Sequence, residues 1–196
     1  MTEMDSGGVD DSALMLRYRS GDARAFELLY ARHKGPLYRY LQRLCRDSEV
    51  ANDVFQEVWG KVIASRERYE PRARFNTFLF RIAHNCAVDH FRSRGKWVAN
   101  QADVDDLREV LPGSDAERPD ALVSQAQVQA AFKRALDTLP PEQRDVFVLY
   151  EESGLSLEEI GSVTGVAMET AKSRLRYAVN KLRAALKPYQ PASIAS

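Results

Sequence analysis

Apolar positions recur along this chain at helical spacing, and no segment alternates like a strand closed by hairpin turns. The pattern predicts an all-α protein. Residues 12–19 read as a short helix ending at Gly21, and Asp22 caps a second helix carrying Phe26, Leu29 and Tyr30. Gly35-Pro36 is expected to interrupt that helix, after which Leu37, Tyr40, Leu41 and Leu44 continue the apolar stripe. A third helix starts around Asp47 and turns Ala51, Val54, Phe55, Val58 and Val62 inward. The polar stretch 66–74 contains Pro71 and reads as a loop. A strong helix follows over 76–94, with Phe75, Leu79, Ile82 and Cys86 along its apolar face, and Phe75 and Phe78 fit a core better than a stacking platform.

Beyond Trp97 the periodicity fails. Residues 98–120 contain Gly, Pro and mostly acid, the composition of a flexible linker. A second helical set follows, with Val128, Phe132, Ala135, Leu136 and Leu139 at helical spacing. Pro140-Pro141 stops one helix and starts another, which carries Val146, Phe147, Leu149 and Tyr150 and ends at Gly154. The expected organisation is a disordered N-terminus (1–11), a helical domain (12–97), a linker (98–120), a second helical domain (121–187) and a frayed tail (188–196).

The second domain holds the sharpest local signal. Ser156-Leu157-Glu158-Glu159 forms a capping box, and a short helix runs through Ile160 and Val163. Gly165 supplies the left-handed backbone of a tight turn, Val166 plugs the angle, and a longer helix runs over 168–186. Its inward stripe is Ala171, Leu175, Ala178 and Leu182, which leaves Glu169, Thr170, Lys172, Ser173, Arg174 and Arg176 at or near its N-terminal end. In a helix-turn-helix that end enters the major groove. Hydroxyls there bond phosphates or bases, and Lys and Arg supply charge and forked donors. The competing reading is an ordinary surface helix of a bundle.

The first domain offers two surfaces. On the third helix Asp53, Gln56 and Gly60 share a stripe, with Glu57 and Trp59 alongside. A tryptophan beside carboxylates fits a docking face. It fits equally a core residue flanked by solvated acids. On the helix over 76–94, Arg81, Asn85, Asp89 and Arg92 lie opposite the apolar stripe, and Arg94, Lys96 and Trp97 follow. With Tyr69, Arg68, Arg72 and Arg74 in the preceding loop, basic and aromatic groups interleave as single-stranded DNA requires.

Charge changes the picture. The 28 basic and 28 acidic residues cancel, which is unusual for a nucleic-acid binder. Residues 1–100 nevertheless carry 17 basic against 13 acidic side chains, and residues 101–122 carry 2 against 7. An acidic segment thus parts two weakly basic blocks, and free DNA should be bound weakly without a partner. The hydrophobic fraction of 44% excludes wholesale disorder. No apolar run approaches a membrane span or a signal peptide, so the cytoplasm is expected. Cys45 and Cys86 are too few for a disulfide framework and read as thiols. His84, Cys86 and His90 lie close in sequence, but the helical face of Cys86 separates it from both histidines, so no metal is expected.

Taken together these motifs resemble the extracytoplasmic-function sigma factors of the sigma-70 family, over about residues 12–97 and 121–186. Asp53-Val54-Phe55-Gln56-Glu57-Val58-Trp59 resembles their polymerase-docking motif. The run Phe75-Asn76-Thr77-Phe78-Leu79-Phe80-Arg81-Ile82-Ala83-His84-Asn85, then Asp89 and Arg92, is similar to their promoter-melting helix. Leu139-Pro140, Gln143-Arg144, Leu155-Ser156-Leu157-Glu158-Glu159-Ile160 and Thr170-Ala171-Lys172-Ser173-Arg174-Leu175 resemble their fourth region.

The resemblance implies a partner set of core RNA polymerase, promoter DNA and an anti-sigma factor, with no cofactor. It implies that Asp53, Gln56, Glu57 and Trp59 face the clamp coiled coil of the largest polymerase subunit. Arg72, Arg74, Asn76, Arg81, Asn85, Arg92, Arg94 and Lys96 would read and open the −10 element. Glu169, Thr170, Lys172, Ser173, Arg174 and Arg176 would read the −35 element, with the domain docked on the flap of the second-largest subunit. Departures are Glu169 where glycine is common, Tyr177 and Val179 where arginine is frequent, and Phe78 in place of tryptophan. A stand-alone helix-turn-helix regulator would account for residues 140–186 alone. No phosphate-binding glycine loop, nucleophile motif or metal spacing supports an enzyme.

Overall fold

The computed structural model describes residues 9–93, 95 and 124–189, and among them every regular element is helical. The expected linker at 98–120, together with Arg94, Lys96 and Trp97, lies outside the described residues, as do 1–8 and 190–196. The helices are α1 (Asp11–Arg19), α2 (Ala23–Cys45), α3 (Ser48–Ala64), α4 (Phe75–Ser93), α5 (Gln125–Thr138), α6 (Pro141–Ser153), α7 (Leu157–Thr164) and α8 (Met168–Leu186). Their starts follow local chemistry. The side chains of Asp10, Asp22 and Asp47 accept from first-turn N–H groups of α1, α2 and α3. Ser124 with Gln127, and Ser156 with Glu159, close reciprocal capping boxes on α5 and α7.

One expectation fails within α2. The helix runs unbroken through Gly35 and Pro36. A proline inside a helix costs about 3 kcal/mol. The turns on either side bury Leu29, Leu37, Tyr40 and Leu41 completely. At about 1.5–3 kcal/mol per fully buried large apolar side chain, that packing outweighs the missing hydrogen bond.

The two helical sets, α1–α4 and α5–α8, pack against each other in this structure. α6 lies between α2 and α8, and α7 lies against α4. A single cluster of buried residues runs from Leu14 and Met15 through Tyr40 and Phe80 to Val146, Ile160 and Leu182. The cause is α6, whose residues 143–149 are all buried. A helix covered on every side needs a second neighbour, and α2 supplies it. Tyr150 occupies the remaining open side and is exposed.

Both cysteines are buried. Burial, with the nearby Asp47 carboxylate, pushes the Cys45 thiol up to about 12, and burial also raises Cys86. Neither thiolate is favoured, so neither side chain is poised for redox chemistry.

Candidate nucleic-acid and polymerase interfaces

The helix-turn-helix forms as its residues dictate. Ser156 Oγ accepts from the Glu159 N–H at 3.2 Å, and Glu159 Oε2 accepts from the Ser156 N–H at 2.8 Å. Gly165 ends α7 with φ +73°, in the left-handed region. Gly161 is equally constrained by close approach. A Cβ there would sit 2.8 Å from the Val166 carbonyl oxygen, where α8 crosses α7. Beyond the turn, Ala171, Ala178 and Leu182 are buried, with Leu175 packed partly against them. Glu169, Lys172 and Arg176 are exposed, while Thr170, Ser173 and Arg174 are half-buried. The Glu169–Lys172 pair is loose at 3.9 Å, and the Arg176 guanidinium lies 5.2 Å from the Tyr177 ring centroid. The first turns of α8 thus present a polar and basic surface.

The α3 surface is divided. Asp53, Gln56 and Glu57 are exposed, and Glu57 pairs with Lys61 at 2.8 Å. Trp59 does not share that surface. It is 5% exposed and packs with Phe26, Tyr30 and Phe55, the Phe26 contact being edge-on at 5.8 Å. Trp59 thus takes the core position that was one of its two readings. Four aromatic rings gain more from mutual burial than one indole gains from standing in water.

The loop and α4 residues fall into two groups. Arg72, Asn85 and Arg92 are exposed, and Arg72 is paired with its near neighbour Glu70 at 2.6 Å. Arg74, Asn76 and Arg81 instead meet the C-terminal set. Arg74 stands 3.3 Å from Glu159, the Asn76 amide donates to the Ser153 carbonyl at 2.9 Å, and Arg81 donates to Ser162 Oγ at 2.7 Å. Thr77 adds a 2.8 Å bond to Glu159. Partial burial opposes the Glu159 charge, but the Ser156 N–H, Thr77 and Arg74 together hold its carboxyl below the ordinary 4.5. Tyr69, placed in the loop as a possible stacking ring, is 3% exposed and packs on Phe75 and Phe78. It belongs to the core, because the loop folds back under α4.

Sequence reasoning missed one cluster entirely. Asp145, only 1% exposed, accepts from the Tyr40 hydroxyl at 2.7 Å and stands 2.8 Å from His84 Nδ1. Beside it Arg144, also buried, donates to the carbonyls of Leu139 and Leu44 at 2.9 and 3.4 Å. At the rim Arg39 and Arg43 both reach Glu152 at 2.7 Å. No local signal marks the contacts that join the two sets, since Tyr40 and Asp145 stand 105 positions apart and Arg39 and Glu152 stand 113 apart.

Comparison with known proteins decides the family. Residues 29–97 match the family model for sigma-70 region 2, and residues 135–184 match that for sigma-70 region 4. The RNA polymerase sigma factor CarQ of Myxococcus xanthus is 37% identical over 169 residues, 86% of this chain and 93% of CarQ. The chain belongs to the extracytoplasmic-function sigma factors of the sigma-70 family. The ECF sigma factor SigE of Mycolicibacterium smegmatis is 34% identical over 84% of this chain and 63% of SigE. The sigma factor RpoE of Bartonella quintana, solved with the anti-sigma factor NepR, has a TM-score of 0.64 at 28% identity, covering 84% of this chain and 98% of RpoE. CnrH, solved with the cytosolic domain of CnrY, shares the fold at a TM-score of 0.66 and 24% identity, over 92% of this chain and 99% of CnrH.

As a sigma factor the chain is a transcription-initiation factor that binds core RNA polymerase and directs it to promoters. The region 2 match spans most of α2 and all of α3 and α4, and the region 4 match spans all of α6 and α7 and most of α8. The stand-alone regulator reading is not favoured, because it leaves α1–α4 without a role. Among the described residues no helix is long and apolar enough to cross a membrane.

Proposed function

We propose that this sigma factor divides promoter recognition between its two helical sets and contributes no catalytic group of its own. The observation that carries the reading is the α7–Gly165–α8 geometry, which leaves Glu169, Lys172 and Arg176 exposed on the first turns of a helix whose opposite face is fixed by Ala171 and Ala178. Such a helix fits a duplex major groove. It reads the −35 element with those side chains and with Thr170, Ser173 and Arg174.

In the N-terminal set, Arg72, Arg74, Asn76, Arg81, Asn85 and Arg92, continued by Arg94 and Lys96, read and open the −10 element. Loop cations and amide side chains suit splayed bases better than a groove. Asp53, Gln56 and Glu57 form the docking surface for the clamp of the largest polymerase subunit, and the C-terminal set meets the flap of the second-largest. The domain limits 12–97 and 121–187 follow from this assignment. The protein works where core polymerase works, in the cytoplasm. An anti-sigma protein controls it, a reading supported by the relative solved with NepR.

Run-off transcription with purified core polymerase tests the proposal. Addition of the chain should confer initiation at selected promoters, and Lys172→Ala with Arg176→Ala should abolish it only where an upstream element is needed. Initiation that needs a second sigma factor would refute the assignment.

A further inference from the structure

We infer that the cleft between the end of α2, one face of α5 and the end of α8 is a docking groove, and that its occupant is the chain's own acidic segment, residues 103–111. The inference does not depend on the promoter assignments.

The cleft has an apolar floor and a cationic wall. Val128, Phe132 and Leu136 recur four residues apart on one face of α5, and Leu186 adds to the floor from α8. Leu136 is buried, but Val128, Phe132 and Leu186 are only half-buried, so the helices alone do not cover this floor. Its volume of about 670 Å³ falls in the range of about 300–1,000 Å³ found for ligand clefts. Arg43 and Arg46 at the end of α2, and Lys133 on α5, make the wall. Arg43 holds Glu152 at 2.7 Å, and Arg46 stands 3.4 Å from the Asp137 carboxylate. Lys133 is exposed and has no acidic partner among the described residues.

That combination selects the chemistry of the occupant. A phosphate backbone would meet the cations and leave the apolar floor in water. A purely apolar ligand would cover the floor and leave Lys133 unpaired. The fitting occupant carries aliphatic side chains on one side and carboxylates on the other.

The chain supplies such a segment in its own sequence. Residues 98–120 have no periodicity as a whole, yet Val104, Leu107 and Leu111 fall at i, i+3 and i+7, with Val110 beside them. Asp103, Asp105, Asp106 and Glu109 take the positions between, against one base, Arg108. This is the anchor spacing of an amphipathic segment laid in a groove. Four carboxylates also complement a wall of three cations.

Reach and tethering agree with it. Leu111 precedes Ser124, the cap of α5, by 13 positions. That length of chain spans up to about 45 Å, whereas a helix of 14 residues is about 21 Å long. The segment can therefore reach back over the face of α5. A short tether gives an effective concentration of about 1 mM, so even a modest intrinsic affinity keeps the groove filled.

The test uses the full chain with a photoreactive benzoylphenylalanine in place of Gln129, an exposed residue of the groove. After irradiation at micromolar concentration, crosslinked peptides are identified by mass spectrometry. The main adduct should fall within residues 103–111 of the same chain, in a product of monomer mass. Leu107→Asp with Leu111→Asp removes two apolar anchors and should cut the yield about tenfold or more. Lys133→Glu should cut it about two- to fivefold, the worth of one exposed ion pair. Adding Asp106→Lys to Lys133→Glu should restore the yield, which guards against a misfolded groove variant. An adduct found only in a product of dimer mass would make a second copy the occupant and overturn the inference. So would an adduct confined to residues 190–196, or a yield that neither the Leu107 and Leu111 variant nor Lys133→Glu changes.

Discussion

The two helical sets fill their interiors by different means. The N-terminal set buries large side chains, among them Tyr40, Phe75, Phe80, Leu14 and Met15, and adds the Phe26, Tyr30, Phe55 and Trp59 rings. The C-terminal set is filled by aliphatic side chains, among them Leu139, Leu149 and Ile160, and places α6 between α8 and the N-terminal set. Two buried polar residues of α6 reach across to the N-terminal set: Asp145 meets Tyr40 and His84, and Arg144 bonds the Leu44 carbonyl as well as that of Leu139 in its own set. The N-terminal set serves as the scaffold on which buried polar groups of α6 find their partners.

The largest expected effect lies in the scaffold. Phe80 is buried and packs edge-on to Tyr40 at 5.5 Å, so Phe80→Ala should cost about 3–5 kcal/mol in urea unfolding. A loss below about 1 kcal/mol would break the contrast between the sets. In the C-terminal set the tight point is Gly161. Gly161→Ala forces a Cβ against the Val166 carbonyl and should cost about 1–3 kcal/mol, with loss of duplex binding by gel shift.

Smaller effects sharpen the seam between the sets. Tyr40→Phe removes one of the two partners of Asp145 and should cost about 1–3 kcal/mol, seen as easier separation of the sets by energy transfer. The His84–Asp145 pair adds a pH dependence. Its folded pKa is raised, so its contribution is complete below the unfolded value near 6.5 and is lost as pH rises through the folded value. His33 works in reverse. Burial lowers it despite Asp11, so its contribution is present above 6.5 and fades as pH falls through its lowered value. His84→Gln should therefore flatten only the loosening seen on the alkaline side, in a titration of energy transfer. The smallest effect on stability belongs to Gln56→Ala, within about 0.5 kcal/mol because the side chain is exposed. Its affinity for core polymerase, by fluorescence titration, should nonetheless fall by about 2 kcal/mol if it is a docking hot spot. Trp59→Ala is no clean test of docking, since it would cut into the aromatic core.

What is legible in the sequence is local. The capping box at Ser156–Glu159, the Pro140-Pro141 start of α6 and the left-handed Gly154 and Gly165 each depend on a few adjacent residues; the Ser124–Gln127 box is equally local but lies among polar neighbours that hide it. The Gly35-Pro36 break does not form because a breaker signal carries no knowledge of the packing that overrides it. Trp59 and Tyr69 depart from expectation for a related reason, since helical spacing places a residue near a face but cannot say whether another element covers it. The docking of the two sets is not legible at all. Its contacts join Tyr40 to Asp145 and Arg81 to Ser162, and charged residues such as Arg144 and Asp145 read as surface until their partners are known. The family motifs are legible as motifs, and so the residues proposed here for the −10 and −35 elements can be named from sequence.

The division of labour between the two sets is tested most directly by permanganate reactivity of unpaired promoter thymines, read beside gel-shift affinity in the same holoenzyme complexes. Lys172→Ala with Arg176→Ala should weaken duplex binding by about 1–3 kcal/mol for each base-reading side chain removed, and should leave thymine reactivity per bound complex unchanged. Arg72→Ala and Asn85→Ala should keep duplex affinity and abolish thymine reactivity. Diminished reactivity with intact binding in the α8 variants, or the reverse in the α4 and loop variants, would contradict the account.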